Sequence, residues 1–148
     1  MIPKDAIVRK THNGTVMVAV SGGKQTNPLW TSQVSNQDFK QALEDSLLRY
    51  KSFSRVIKAD GADYRVEVVL QELKQPLVGF SLTVKSKVHW RLVDAKTSRE
   101  IWQETIDRDF TAGVGDAFVA VRRLQLANEG AIRENIKAGL QEIGQLSL

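Results

Sequence analysis

The spacing of apolar residues along the chain alternates between the two-residue period of a strand and the 3.6-residue period of a helix. The run Thr15-Val16-Met17-Val18-Ala19-Val20 reads as a short apolar strand that ends at Gly22-Gly23. A polar connection from Ser21 to Asn36 follows. From about Asn36 to Tyr50 the period changes: Phe39, Ala42, Leu43, Ser46, Leu47 and Tyr50 fall on one face of a helix. Ser35 and Asp38 have the spacing of a capping box, with the shorter Asp in place of Glu. The stretch Lys51-Ser52-Phe53-Ser54 is read as the end of that helix.

Three strands come next. Tyr64, Val66, Val68 and Leu70 alternate with Arg65, Glu67 and Gln71. After Pro76 and Gly79, the apolar set Leu82, Val84, Val88, Trp90 and Leu92 alternates with Thr83, Lys85, Lys87, His89 and Arg91. The turn 94–99 leads into Ile101 through Phe110. These last two strands can be registered by charge. With Arg91 opposite Gln103, Lys87 faces Asp107 and Lys85 faces Asp109. On the other side Leu92 meets Trp102, Val88 meets Ile106 and Val84 meets Phe110. A slip of one residue would set both lysines against bulky apolar groups.

A final helix is expected from about Asp116 to Leu146, with Val121, Leu124, Ala131, Ile132, Ile136, Leu140 and Ile143 on its apolar side. Gly130, Gly139 and Gly144 each cost about 1 kcal/mol relative to Ala, so tertiary packing must support it. The order β-α-β-β-β-α implies an α+β two-layer sandwich: a four-stranded sheet with two helices on one face. The chain of 148 residues is expected to be a single domain, with 1–14 as an extended N-terminal segment. Folding a chain of this length buries roughly 70% of its surface, enough for a core without metal or disulfide.

Composition narrows the chemistry. There is no cysteine, which excludes disulfides, Cys-based zinc sites and thiol nucleophiles. The net charge of +4 is mildly basic. No run approaches the roughly 18 apolar residues of a membrane span, and the opening MIPKDAIVRK has no apolar signal core.

The glycine-lysine pair Gly23-Lys24 is not a phosphate loop. Val18 stands where such a loop needs its first glycine, Gln25 stands where it needs a hydroxyl, and the helix starts about a dozen residues later. The stretch is read as a connection carrying Trp30. Neither His12, placed in the N-terminal segment, nor His89, placed on a strand, sits in a catalytic or metal-ligand pattern. Glu104, Arg108 and Ser86 fall on the face assigned to the core. The two charged residues are therefore expected in a partly buried ion pair or at a sheet edge. No catalytic residue, cofactor or metal is expected.

The candidate contact residues lie on the sheet face away from the helices: Lys85, Lys87, His89 and Arg91 on one strand, Asp107 and Asp109 beside them. The loop around Trp30 is a second candidate. RNA-binding sheets interleave aromatics with basic residues, whereas Trp90 points to the opposite face and the aspartates offset the lysines. Binding of nucleic acid or another polyanion is therefore the alternative reading.

The segment VHWRLVDAKTSREIWQETI, from Val88 to Ile106, together with VAVSGG, FKQALEDSLLRY and ANEGAIRENIKAGL, resembles periplasmic domains of bacterial envelope lipoproteins. Their kinds include the curli-secretion lipoprotein, the TolB amino-terminal domain and the auxiliary lipoproteins of ABC transporters. Ser98 stands where such hairpins often have glycine. The resemblance implies a β-α-β-β-β-α fold and a non-catalytic role in contact with another envelope protein. It also implies a periplasmic location, with an outer-membrane lipid anchor on an amino-terminal cysteine that a removed leader would have to supply. A native start at Met1 would instead imply the cytoplasm. An exposed sheet edge leaves pairing with another copy of the chain open.

Overall fold

A computed structural model of the chain describes residues 1–4, 11–22, 34–74, 77–78, 81–113, 115 and 120–148. Strand β1 (His12–Ser21) is followed by helix α1 (Asn36–Arg49), where the helical period begins. Ser35 caps α1, its Oγ accepting the Asp38 amide proton at 3.0 Å. The helix stops in a Schellman arrangement: the Ser52 amide donates to the Leu47 carbonyl and the Lys51 amide to that of Leu48, with Lys51 in the left-handed region at φ 50. That turn feeds directly into a short strand, β2 (Phe53–Val56), where only the end of the helix was expected.

Strands β3 (Tyr64–Lys74), β4 (Leu77–Val78), β5 (Ser81–Asp94) and β6 (Arg99–Ala112) follow, then helix α2 (Ala120–Gly144). The order matches the sequence reading, but the sheet is larger. β1 runs parallel to both β2 and β3, and β5 lies antiparallel between β3 and β6. β4 extends the line of β3, because Leu77↔Leu82 continues the register of Lys74↔Lys85 on the side of β5 away from β6. The sheet is therefore five lines of mixed strand, β2-β1-β3-β5-β6, rather than four.

The register inferred from charge is the one found: Arg91↔Gln103, Lys87↔Asp107, Lys85↔Asp109, Leu92↔Trp102, Val88↔Ile106 and Val84↔Phe110. Two bulges interrupt the alternation along β3 and β6. Gln71 is unpaired between Leu70↔Val88 and Glu72↔Lys87, and Ile101 between Leu92↔Trp102 and Val93↔Glu100. Ser98, in the turn before β6, has φ 60, the backbone region that glycine adopts most cheaply.

Both helices cover the same side of the sheet. Val16, Val18, Val66, Val68, Leu70, Val84, Val88, Trp90 and Leu92 form one cluster with Phe39, Leu43 and Leu47 of α1 and Ala131, Ile132, Ile136, Leu140 and Ile143 of α2. Two helical glycines set the approach of α2. A Cβ on Gly139 would lie 2.5 Å from the Trp90 ring, and one on Gly130 would lie 2.3 Å from Phe110. These residues are notches for aromatic side chains, which offsets their poor helix propensity.

Between the notches lies a buried polar network. Trp90 Nε1 donates to Asn135 Oδ1 at 2.7 Å. Asn135 Nδ2 donates to the Ile106 carbonyl at 2.8 Å and lies 3.2 Å from Ser86 Oγ. The Ser86 hydroxyl lies within donating distance of the Arg108 and Ala131 carbonyls, at 2.9 and 3.1 Å. Ser86, Trp90 and Asn135 are all buried. Glu104 and Arg108, on the same face by alternation, lie exposed on the edge strand β6, the sheet-edge position expected of them.

His12 does not sit in a tail. It opens β1, is buried, and its Nε2 donates to the Ile143 carbonyl at 2.7 Å, tying β1 to the end of α2. Gly22, at φ +89, ends β1 where a Cβ would fall 2.3 Å from the Leu70 carbonyl oxygen. Its role is close backbone passage.

At the other end of β1, Asp63 Oδ2 accepts from the Thr15 amide at 3.0 Å, and its Oδ1 meets Lys96 Nζ at 2.8 Å. The Lys96 hydrogen bond, and then the Thr15 amide, hold the Asp63 carboxyl below its ordinary range. The same pair raises Lys96.

Three outcomes follow. Asn135→Ala strands the Trp90 indole N–H and leaves a cavity, and is expected to cost about 3 kcal/mol. Gly139→Ala is expected to destabilise by about 1–3 kcal/mol through overpacking, despite the better helix propensity of Ala. Urea unfolding midpoints at constant slope measure both, and a change below about 0.5 kcal/mol in either variant would contradict this packing. The depressed Asp63 contributes stability above the ordinary carboxylate range that is lost as pH falls through its folded pKa. The raised Lys96 contributes below the ordinary lysine range and loses this as pH rises through its folded value. Asp63→Asn should therefore flatten the acid limb of the stability profile, and an unaltered limb would refute the assignment.

Candidate functional site

Alternation of side chains places a second set of residues on the side of the sheet that the helices leave open. β5 runs through the middle of this face, so Lys85, Lys87, His89 and Arg91 form its central column. β3 supplies Arg65, Glu67, Val69, Glu72 and Lys74 on one flank, and β6 supplies Gln103, Thr105, Asp107 and Asp109 on the other. The pairing produces cross-strand rows: Glu72-Lys87-Asp107, Lys74-Lys85-Asp109, Glu67-Arg91-Gln103 and Val69-His89-Thr105.

The six strand residues singled out from sequence are thus brought together on one surface. Trp30 lies outside the described residues.

The ion pairs differ in part from those suggested by the register. Arg91 bridges two carboxylates, with Nη1 at 3.1 Å from Glu67 Oε1 and Nε at 2.9 Å from Glu100 Oε1. Lys87 Nζ reaches Glu72 Oε2 on β3 at 4.0 Å, and Lys74 Nζ reaches the same oxygen at 3.5 Å. His89 Nδ1 lies 3.0 Å from Thr105 Oγ1. A groove of about 360 Å³ is lined by Glu72, Lys74, Lys85, Lys87, Asp107 and Asp109.

Glu72 and Glu100 escaped the sequence reading because each follows from a bulge. The extra residue Gln71 brings Glu72 onto the open face, and the extra residue Ile101 brings Glu100 within reach of Arg91. The run Gln71-Glu72-Leu73-Lys74 breaks the strict alternation of apolar and polar residues and is the trace that the first bulge leaves in the sequence.

The face is consequently a cationic column between a flank of mixed sign on β3, with Arg65, Glu67, Glu72 and Lys74, and an acidic flank on β6, with Asp107 and Asp109. Such a surface suits a partner with ordered charges of both signs better than a uniform polyanion, which the flanking carboxylates repel. Among the described residues, no group of three or more His, Asp and Glu could hold a metal ion. A second groove of about 480 Å³ lies between the helices, where Asp38, Asp45 and Glu129 are among its lining residues.

No family model matches the chain, and no curated protein matches it. Solved structures do. A protein of family DUF330 from Xanthomonas campestris superposes with a TM-score of 0.74 at 11% identity, covering 98% of this chain and 93% of its own. A candidate lipoprotein from Caulobacter crescentus gives 0.61 at 18% identity, covering 87% of each chain. The chain shares its fold with bacterial proteins of lipoprotein type. PelC from Paraburkholderia phytofirmans, a dodecamer, gives 0.52 at 13% identity, covering 93% of this chain and 94% of its own. At these identities the likeness is one of fold. Among the described residues no helix is long and apolar enough to cross a membrane.

Because the Arg91 bridges are partly solvated, Arg91→Ala is expected to cost less than about 1 kcal/mol. Thermal or urea unfolding checks this. A loss as large as that of Asn135→Ala would show that the open face is part of the folding core rather than a free surface.

Proposed function

We propose that the chain is a non-catalytic domain of the bacterial cell envelope that binds a protein partner through its open sheet face. The observation that carries this reading is the asymmetry of the sheet. One side is sealed by both helices, while the other holds a groove and an ordered array of charges with no element over it among the described residues. Lys85, Lys87, His89 and Arg91, flanked by Asp107 and Asp109, form the contact surface, with the segment around Trp30 as a second contact. The domain spans 1–148, with the residues ahead of β1 as its leading segment.

The lipoprotein-type fold neighbours, and the hairpin motif from Val88 to Ile106, support a periplasmic location and a lipid anchor supplied by a cysteine upstream of this sequence. They also support kinship with the curli-secretion, TolB amino-terminal or ABC-transport auxiliary domains. The dodecameric PelC neighbour supports self-association as part of the same function.

The test is affinity capture from an envelope extract with the purified domain and with a variant carrying Lys85→Glu, Lys87→Glu and Arg91→Glu. The wild type is expected to retain a specific envelope protein, and the variant to lose at least about tenfold of it, since like charges would then face the partner's complementary groups. Equal capture by both would overturn the assignment of the face. Retention of oligonucleotide, with affinity falling steeply as salt rises, would favour the polyanion reading instead.

A further inference from the structure

The outer edge of β6 borders the open face, and Asp107 and Arg108 line the grooves on both. β6 is 14 residues long and, among the described residues, pairs only with β5. A strand edge of that length is a template for another strand unless it is covered. A groove of about 220 Å³ runs beside it, lined by Glu104, Thr105, Ile106, Asp107 and Arg108 from the strand and by Ala138 and Glu142 from α2. Arg108 turns its guanidinium onto the neighbouring Asp107 carbonyl at 2.7 Å, a local contact that a competing partner can replace.

We infer that β6 pairs antiparallel with β6 of a second copy of the chain, across a two-fold axis at Ile106. The strand is complementary to itself in that register. Glu104 falls opposite Arg108 of the other copy twice over, Trp102 opposite Phe110, Thr105 opposite Asp107, and Gln103 opposite Asp109, with Ile106 meeting its own counterpart. Trp102 and Phe110 are half-buried apolar residues at the margin of the core, so their pairing extends the apolar layer. No like charges meet directly.

Neighbouring registers fail. An axis at Asp107 or Arg108 sets that residue against itself, and an axis at Thr105 puts Glu104 against Ile106 and Arg108 against Trp102. An axis at Glu104 sets Glu104 against itself and needs Glu100, which the Ile101 bulge and Arg91 hold to the open face, to meet Arg108 on the other side. The nine residues from Trp102 to Phe110 lie within the regular part of β6, so the paired segment ends at the bulge. Such an axis is perpendicular to the sheet. It joins two sheets into one, with all helices on one side and the two charged faces continuous on the other.

Sedimentation equilibrium of the full chain is the direct experiment. The wild type is expected to form dimers reversibly. Glu104→Arg and Arg108→Glu should each raise the dimer dissociation constant at least about tenfold, because each creates two like-charge contacts, and the two together should restore it to within about threefold. Both side chains are exposed, so circular dichroism should be unchanged in all three variants. Since the chain has no cysteine, mixing Thr105→Cys with Asp107→Cys copies should give a disulfide-linked pair faster than either variant alone. A wild type that stays monomeric, single reversals without effect, a double reversal that fails to restore association, or no preference for the mixed cysteine pair would each overturn the proposal.

Discussion

The fold depends on how α2 is seated on β5 and β6. Trp90, the largest fully buried side chain among the described residues, carries a polar N–H into a site with no access to water. A buried donor without a partner costs about 1–3 kcal/mol, so the indole needs an acceptor from the layer above it. Asn135 supplies one, and its own amide protons are satisfied by the Ile106 carbonyl and Ser86. The network therefore reads two strands and one helix together. It accepts a single rotation and translation of α2, which Gly139 and Gly130 permit by leaving room for Trp90 and Phe110. Apolar packing alone would tolerate sliding of the helix, whereas directed hydrogen bonds do not.

Once α2 is fixed, the rest of the architecture is constrained. The His12 hydrogen bond to the Ile143 carbonyl ties the start of β1 to the last turn of α2, so the end of that helix as well as its middle is anchored to the sheet. With the apolar rows committed to that side, alternation leaves the other rows in solvent. Charge can accumulate there because exposed ion pairs are nearly neutral for stability. The open face is thus under little constraint from stability, which is what the proposed contact surface requires.

Much of this was legible in the sequence. α1 announced itself by period and by Ser35. The register of β5 and β6 followed from matching Lys85 and Lys87 to Asp109 and Asp107 while keeping Leu92, Val88 and Val84 opposite apolar residues. β2 was not legible: Phe53–Val56 is too short to show alternation, and its existence depends on parallel pairing with β1, a tertiary fact. The bulges at Gln71 and Ile101 moved Glu72 and Glu100 into the charged face in a way that simple alternation does not report. The glycines of α2 were visible as a cost, but the aromatic rings that fill them become visible only when helix and sheet are placed together. His12 and Ser86 show the same limit, since a polar residue's burial is decided by whether a distant partner arrives.

Exchange of the tryptophan indole protons with solvent, followed by nitrogen-resolved magnetic resonance, tests whether the buried hydrogen bond from Trp90 to Asn135 locks the helix layer to the sheet. The Trp90 indole proton is expected to exchange only on global unfolding, with a free energy matching that from denaturant, while that of the half-exposed Trp102 exchanges far faster. Exchange of Trp90 at the rate of Trp102 under native conditions would contradict it.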